Sequence, residues 1–283
     1  MRTWRVRRYL THALDLMESS ALFRAELDWP AVRADAASRC AGARTFADTH
    51  AVLSEVLRRA GGAHSGLRAP GRPSTMPDPQ PPAGGLVDGT VAWVRLPGSG
   101  HKEYKRIGSS LVRDLAAAAP TGWIVDLRGN RGGNMWPMLA VLAPLLPEGV
   151  LGYFVPPGGA EQAWTLDAGR IRLAGRELAR AQRPPVRTPG RPLAVLTDGK
   201  TASSGEAVAV ALRGRPDVRV FGAPTEGFTS ANETHRLRDG ARLYLTVAWF
   251  ADHRRTVYRG PLPVDDPGGA DPLTAAAAWL AAA

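Results

Sequence analysis

Hydrophobic positions along the chain follow two regimes. Up to about residue 62 they recur every three to four residues. Leu10, Leu14, Met17 and Ala21 share one helical face, and Val52, Leu53, Val56 and Leu57 share another. Asp28-Trp-Pro30 reads as a helix start, with Asp28 as N-cap and Pro30 in the first turn. Thr45 with Asp48 starts the helix that carries Val52 to Leu57, and Gly61-Gly62 can end it in the left-handed conformation. After about residue 90 short apolar runs alternate with helical periods. Strands are expected at 90–96, 123–127, 193–196, 218–221 and 242–250. Helices are expected at 102–118, 135–146 (with Pro144 disturbing its end) and 203–213. Such alternation predicts an α/β domain with helices packed on a sheet.

Between the regimes, five prolines fall from Pro73 to Pro82. They forbid regular hydrogen-bonded structure and read as a linker or exposed loop. The predicted organisation is a small N-terminal helical domain at 1–67, a Pro/Gly-rich linker at 68–85 and a larger α/β domain at 86–283.

Composition narrows the function. Apolar residues make up 44% and charged residues 22% of 283, so a sizeable core is expected. The formal charge is +10, and only Lys102, Lys105 and Lys200 among the 36 basic residues are lysines. The arginines are scattered, with no basic helix face or aromatic ladder, so no nucleic-acid partner is expected. A basic surface can still attract acidic peptides. Cys40 is the single cysteine, which excludes an internal disulfide and a Cys-rich metal site. No run approaches the roughly eighteen apolar residues of a membrane span, and the basic start lacks a continuous apolar stretch after it. The expectation is a soluble, cytoplasmic protein without a membrane partner.

Three segments carry candidate chemistry. In Asp198-Gly-Lys-Thr-Ala-Ser203-Ser204-Gly-Glu206, a serine sits between a buried strand and an apolar helix, where a helix N-terminus offers N–H groups to a developing oxyanion. Ser203-x-x-Glu206 is equally a capping box. In Asp126-Leu-Arg-Gly-Asn130-Arg-Gly132-Gly133-Asn134, paired glycines let backbone approach a ligand, or simply form a tight turn with Asn134 as N-cap. The Lys-Ser/Thr pair of a phosphate loop is missing. Leu96-Pro-Gly-Ser-Gly-His101 runs from a strand through a Gly-rich loop into a helix. His101 suits the neutral base a serine nucleophile needs, although a loop histidine is commonly just solvated. His64, in Gly61-Gly-Ala-His64-Ser65, is its rival; His235 and His253 read as surface residues.

Together with Gly222-x-Pro-Thr225-x-Gly227, Leu237-x-Asp-Gly240 and Pro263-Val-Asp-Asp266-Pro, these segments form an ordered set. It resembles the tail-specific, or C-terminal-processing, serine peptidases. The resemblance implies a crotonase/ClpP-like catalytic domain and hydrolysis of a peptide or protein substrate through an acyl-enzyme. It makes Ser203 the nucleophile and puts the oxyanion hole at the N–H groups of Ser204 and of Gly132 or Gly133. Asn130, Thr225 and Gly227 become substrate-binding candidates. The Ser–Lys branch places a lysine where Phe228-Thr229 stands here, and Lys200 is an unsuitable base. The Ser–His branch, similar to nisin-resistance-type and tricorn-core-like enzymes, fits instead. There the histidine follows the first strand of the catalytic domain, at His101. Glu206, or behind it Asp266, is the candidate to orient His101. No metal or organic cofactor is implied. The alternatives are a non-catalytic peptide- or hydrophobic-ligand-binding module on the same fold, and an acyl-CoA enzyme of the crotonase class.

Overall fold

A computed structural model describes residues 3–73, 78–181 and 190–283. In chain order, α1 (Thr3–Ser20), α2 (Trp29–Arg39) and α3 (His50–Gly61) lead to β1 (Gly66–Arg68). Then come β2 (Ala83–Val87), β3 (Val91–Arg95), α4 (Tyr104–Ala117), β4 (Gly122–Asp126) and α5 (Met135–Leu142). Four strands follow: β5 (Gly149–Val155), β6 (Gln162–Asp167), β7 (Arg170–Leu173) and β8 (Arg176–Arg180). The chain continues through β9 (Leu193–Thr197), α6 (Ser204–Leu212), β10 (Val218–Gly222) and β11 (Ser230–Arg236). It ends with β12 (Arg242–Asp252), β13 (Val257–Tyr258) and α7 (Pro272–Ala281). Two compact units result. One comprises Met1–Thr75, Pro156–Ala160 and Ser230–Trp249; the other comprises Met76–Val155, Glu161–Thr229 and Phe250–Ala283.

The larger unit is built on a five-stranded sheet of order β10-β9-β4-β3-β2. β10, β9, β4 and β3 run parallel, and β2 is an antiparallel edge. β4 and β9 are buried at every position, as expected for parallel strands covered on both faces. Ile124, Ala194, Leu196 and Phe221 pack against Ala276, Ala277 and Leu280 of α7. Gly122 lies so close that an added Cβ would come within 2.8 Å of Leu280. The expected strands and helices of this region are present, with α5 stopping at Leu142, short of Pro144. The β5–β8 antiparallel meander and α7 were not expected from the sequence.

In the smaller unit Leu10, Leu14, Met17, Leu53, Val56 and Leu57 form the core with Leu237, Leu243 and Leu245. Asp28 caps α2 by accepting from the Ala31 N–H, and Gly62 ends α3 at φ +77°. Asp48 accepts from the Arg44 and Thr45 N–H groups ahead of a short 3₁₀ turn that leads into α3. The unit is not helical alone, as the 1–67 boundary implied. β1 and β11 both pair antiparallel with β12, so strands from late in the chain complete it. The expected linker at 68–85 is narrower too. β1 reaches Arg68, and β2 starts directly after Pro82, where every residue again has an N–H to donate. Residues 74–77 of that stretch lie outside the described residues.

Candidate active site

Because β3, β4, β9 and β10 are parallel and adjacent, their carboxyl ends open onto one edge of the sheet, the usual location of sites in such sheets. The loop after β3 carries His101, that after β4 carries Asn130, Gly132 and Gly133, that after β9 carries Ser203 and Ser204, and that after β10 carries Thr225 and Gly227.

Asn130 stitches three of these loops. It is fully buried. Its Nδ2 donates to the Leu96 carbonyl at 2.9 Å, its Oδ1 accepts the Gly132 N–H at 2.9 Å, and its carbonyl accepts the Ala202 N–H at 2.9 Å. The Ser99 N–H donates to the Gly132 carbonyl at 3.2 Å, and Ser99 Oγ bonds both the N–H and the carbonyl of Asn134 at 2.6 Å. Ser204 Oγ donates to the Gly133 carbonyl at 2.7 Å. The β3, β4 and β9 loops are therefore one hydrogen-bonded body. Ser99 was overlooked in the sequence, because a serine between two glycines reads as a flexible spacer.

Ser203 stands at the head of α6 with φ +53° and ψ −116°, outside the ordinary allowed regions for a residue with a Cβ. Gly132 is packed against it: an added Cβ there would lie 2.9 Å from Ser203 Cβ and 3.1 Å from the Ser204 nitrogen. With φ +98° as well, the position demands glycine. The Gly132 N–H is already committed to Asn130. Among the described residues, the N–H groups of Ser204 and Gly133 have no such acceptor. Both Ser203 and His101 are partly exposed.

Glu206 is fully buried. Its Oε2 accepts the Ser203 N–H at 2.7 Å; its Oε1 accepts Thr225 Oγ1 at 2.6 Å and the Gly227 N–H at 2.9 Å. Burial raises its carboxyl to about 7, against the opposing pull of those three donors. The carboxylate thus braces the serine turn against the β10 loop rather than reaching His101. Asp266 is likewise engaged elsewhere, with Arg219 at 3.0 Å and the Gly268 N–H at 2.8 Å.

The three residues expected to bind substrate take part in this hydrogen-bonded scaffold. Asn130 and Thr225 are buried, with Thr225 Oγ1 also accepting the Leu262 N–H at 2.8 Å, and the Gly227 N–H is taken by Glu206. Their partners lie tens of residues away, which no local motif displays.

His101 Nδ1 accepts the Glu103 N–H at 3.2 Å. A neutral ring held this way carries its proton on Nε2. Among the described residues no hydrogen bond joins it to Ser203. Lys200 is exposed at the β9 turn. His64, in the turn between α3 and β1 of the smaller unit, has Nδ1 2.9 Å from Ser230 Oγ. Loss of water around its ring pushes it down to about 4.

A strained serine stands at a helix head with a double-glycine turn packed against it, and a buried carboxylate ties the serine turn to the β10 loop. Residues 90–258 match Peptidase family S41, and the chain belongs to that family. It is 30% identical over 257 residues to the nisin-resistance protein of Lactococcus lactis subsp. lactis, covering 89% of this chain and 80% of that protein. It is also 30% identical over 161 residues to a carboxyl-terminal-processing protease of Synechocystis, covering 57% of this chain but only 34% of that protein. Among solved structures, a lipoprotein from Streptococcus agalactiae superposes with a TM-score of 0.83 at 27% identity, covering 98% and 96% of the two chains. A photosystem II D1 C-terminal processing protease shares the fold, with a TM-score of 0.64 at 13% identity, covering 93% of each chain. The mixed α/β architecture is that of an S41 peptidase.

Proposed function

We propose that the protein is a serine peptidase that cleaves a peptide or protein substrate through an acyl-enzyme on Ser203. The observation that carries this reading is the Ser203 backbone, held out of the allowed regions at the head of α6 with Gly132 against its Cβ. Strain of this kind, worth about 1–3 kcal/mol, persists where the surroundings impose it, and it gathers at active sites. The parallel sheet and its glycine-backbone loops support the crotonase/ClpP-like description of the larger unit.

In the proposed reaction Ser203 Oγ attacks the scissile carbonyl carbon as a neutral histidine takes its proton. The Ser204 and Gly133 N–H groups receive the oxyanion, aided by the N-terminus of α6. Collapse expels the amine, which leaves with the proton from the imidazolium, and water then releases the acyl group by the same route. Glu206 acts as a positioning residue for the Ser203 turn.

The candidate for the base is His101. Its loop is tied to the double-glycine turn through Ser99, although its present hydrogen bond holds the proton on Nε2. Labelling by a fluorophosphonate probe, followed by peptide-library digestion read by mass spectrometry, tests the proposal. Wild type should label and cleave, and Ser203→Ala should do neither. His101→Ala should lose several orders of magnitude in rate. Equal labelling of wild type and Ser203→Ala would refute the reading and favour a ligand-binding module.

A further inference from the structure

The double-glycine turn has a backbone freedom that its own residues do not limit. Gly132 and Gly133 stand at φ +98° and +115°, and with no Cβ on either side the peptide between them can rotate at little local cost. In a trans peptide the carbonyl and the N–H point in opposite directions. The direction of the Gly133 N–H is therefore set by whatever holds the Gly132 carbonyl.

The β3 loop supplies that hold. The Ser99 N–H donates to the Gly132 carbonyl at 3.2 Å, and residues 99 and 133 pair as an isolated parallel bridge. Ser99 Oγ accepts the Asn134 N–H and donates to the Asn134 carbonyl, both at 2.6 Å, so one hydroxyl grips the peptides on either side of Asn134. Ser204 Oγ holds the intervening Gly133 carbonyl at 2.7 Å. From the Gly132 carbonyl to the Asn134 carbonyl, the Gly133 N–H is the one group left without a partner among the described residues. The fit is close: an added Cβ at Gly133 would lie 2.6 Å from the Ser99 carbonyl oxygen, and one at Gly98 2.7 Å from the Gly132 carbonyl oxygen. The loop is anchored in turn by the buried Tyr104, whose hydroxyl donates to the Pro97 carbonyl at 2.8 Å.

We propose that Ser99 is a positioning residue: it holds the Gly132–Gly133 peptide with its carbonyl toward the β3 loop, which keeps the Gly133 N–H presented to the oxyanion formed at Ser203. The kinetic consequence rests on the acyl-enzyme reading given above; the hold on the peptide does not.

The test compares wild type, Ser99→Ala and Ser99→Thr, which keeps the hydroxyl. Steady-state cleavage is measured on a peptide found by library digestion, and inhibition with the boronic acid built on that peptide. In the inhibited enzyme Ser203 Oγ gives a lone pair to boron, its proton passes to the base, and a boronate oxygen takes the oxyanion position. Ser99→Ala should lower kcat about tenfold, well short of the roughly hundred- to thousandfold loss when such a donor is deleted. KM should stay unchanged and boronate affinity should fall with kcat, as for an interaction made only in the transition state. Ser99→Thr should recover both. Wild-type kcat in Ser99→Ala, a raised KM in its place, a boronate affinity that does not follow kcat, or no recovery in Ser99→Thr overturns the proposal. Amide hydrogen exchange at residue 99, corrected for the side chain's own effect, reads the hold directly. It should be slow in wild type, about tenfold faster in Ser99→Ala, the worth of one hydrogen bond, and slow again in Ser99→Thr. An unprotected wild-type amide, or equal exchange in Ser99→Ala, overturns the proposal as well. A wild type that neither labels nor cleaves would sink the peptidase reading, while the exchange rates still decide the role of Ser99.

Discussion

Glu206→Gln should change how stability depends on pH more than it changes stability at any one pH. The Glu206 carboxyl is raised by burial from the ordinary 4.5 to about 7 in the folded chain. Between those values the folded state binds more protons than the unfolded one, so stability falls as pH rises. The gap between those two values corresponds to about 3 kcal/mol, fully present below pH 4 and lost above pH 7. Gln removes that slope. It also places an N–H₂ against either the Ser203 N–H or the Thr225 and Gly227 donors, a pH-independent loss of about 1–3 kcal/mol. Relative to wild type, the variant should therefore be weakest near pH 4 and gain about 3 kcal/mol by pH 8. Its own profile should expose the opposite slope of His64. That ring stays neutral down to about 4 in the folded chain, so its contribution is lost as pH falls from about 6.5. Urea unfolding at half-unit steps from pH 4 to 8 measures both. A stability difference between variant and wild type that stays constant across that range would refute the reasoning.

Two further predictions concern the serine turn. Ser203→Gly should raise stability by about 1–2 kcal/mol in chemical denaturation while abolishing probe labelling, because glycine tolerates φ +53° that serine bears as strain; a destabilised variant would contradict the strain. Asn130→Ala should destabilise by about 3 kcal/mol, since it orphans the Leu96 carbonyl and the Gly132 N–H in a buried place. A loss below 1 kcal/mol would mean that the loops are not stitched there.

The parts of the fold legible in the sequence were those whose burial is continuous or helical. β4 and β9 are apolar runs buried throughout, and α1 and α3 display clean faces. The β6–β8 hairpins escaped because their two-residue turns use Ala168-Gly169 and Ala174-Gly175. Alanine there adopts φ +47°, where asparagine or aspartate is the usual signal. Arginines interleave the apolar positions of β7 and add to the disguise. β11, Ser-Ala-Asn-Glu-Thr-His-Arg, has no apolar alternation at all; its existence depends on its pairing with β12.

The motifs marked Ser203, Ser204 and the double glycine as candidates, and the fold brings their loops together at one edge of the sheet. They did not reveal that Asn130 and Thr225 are buried, since burial depends on partners such as Leu96 and Leu262 far along the chain.

The N-terminal helices are not a detachable head. β1 and the apolar faces of α1 and α3 are matched to Leu237, Leu243 and Leu245 on a hairpin that the chain makes only after residue 230. During synthesis the helices emerge first and must wait, with their apolar faces uncovered, until that hairpin follows. A cut after residue 67 would strand greasy surface on both fragments, so an isolated catalytic piece should aggregate rather than work alone.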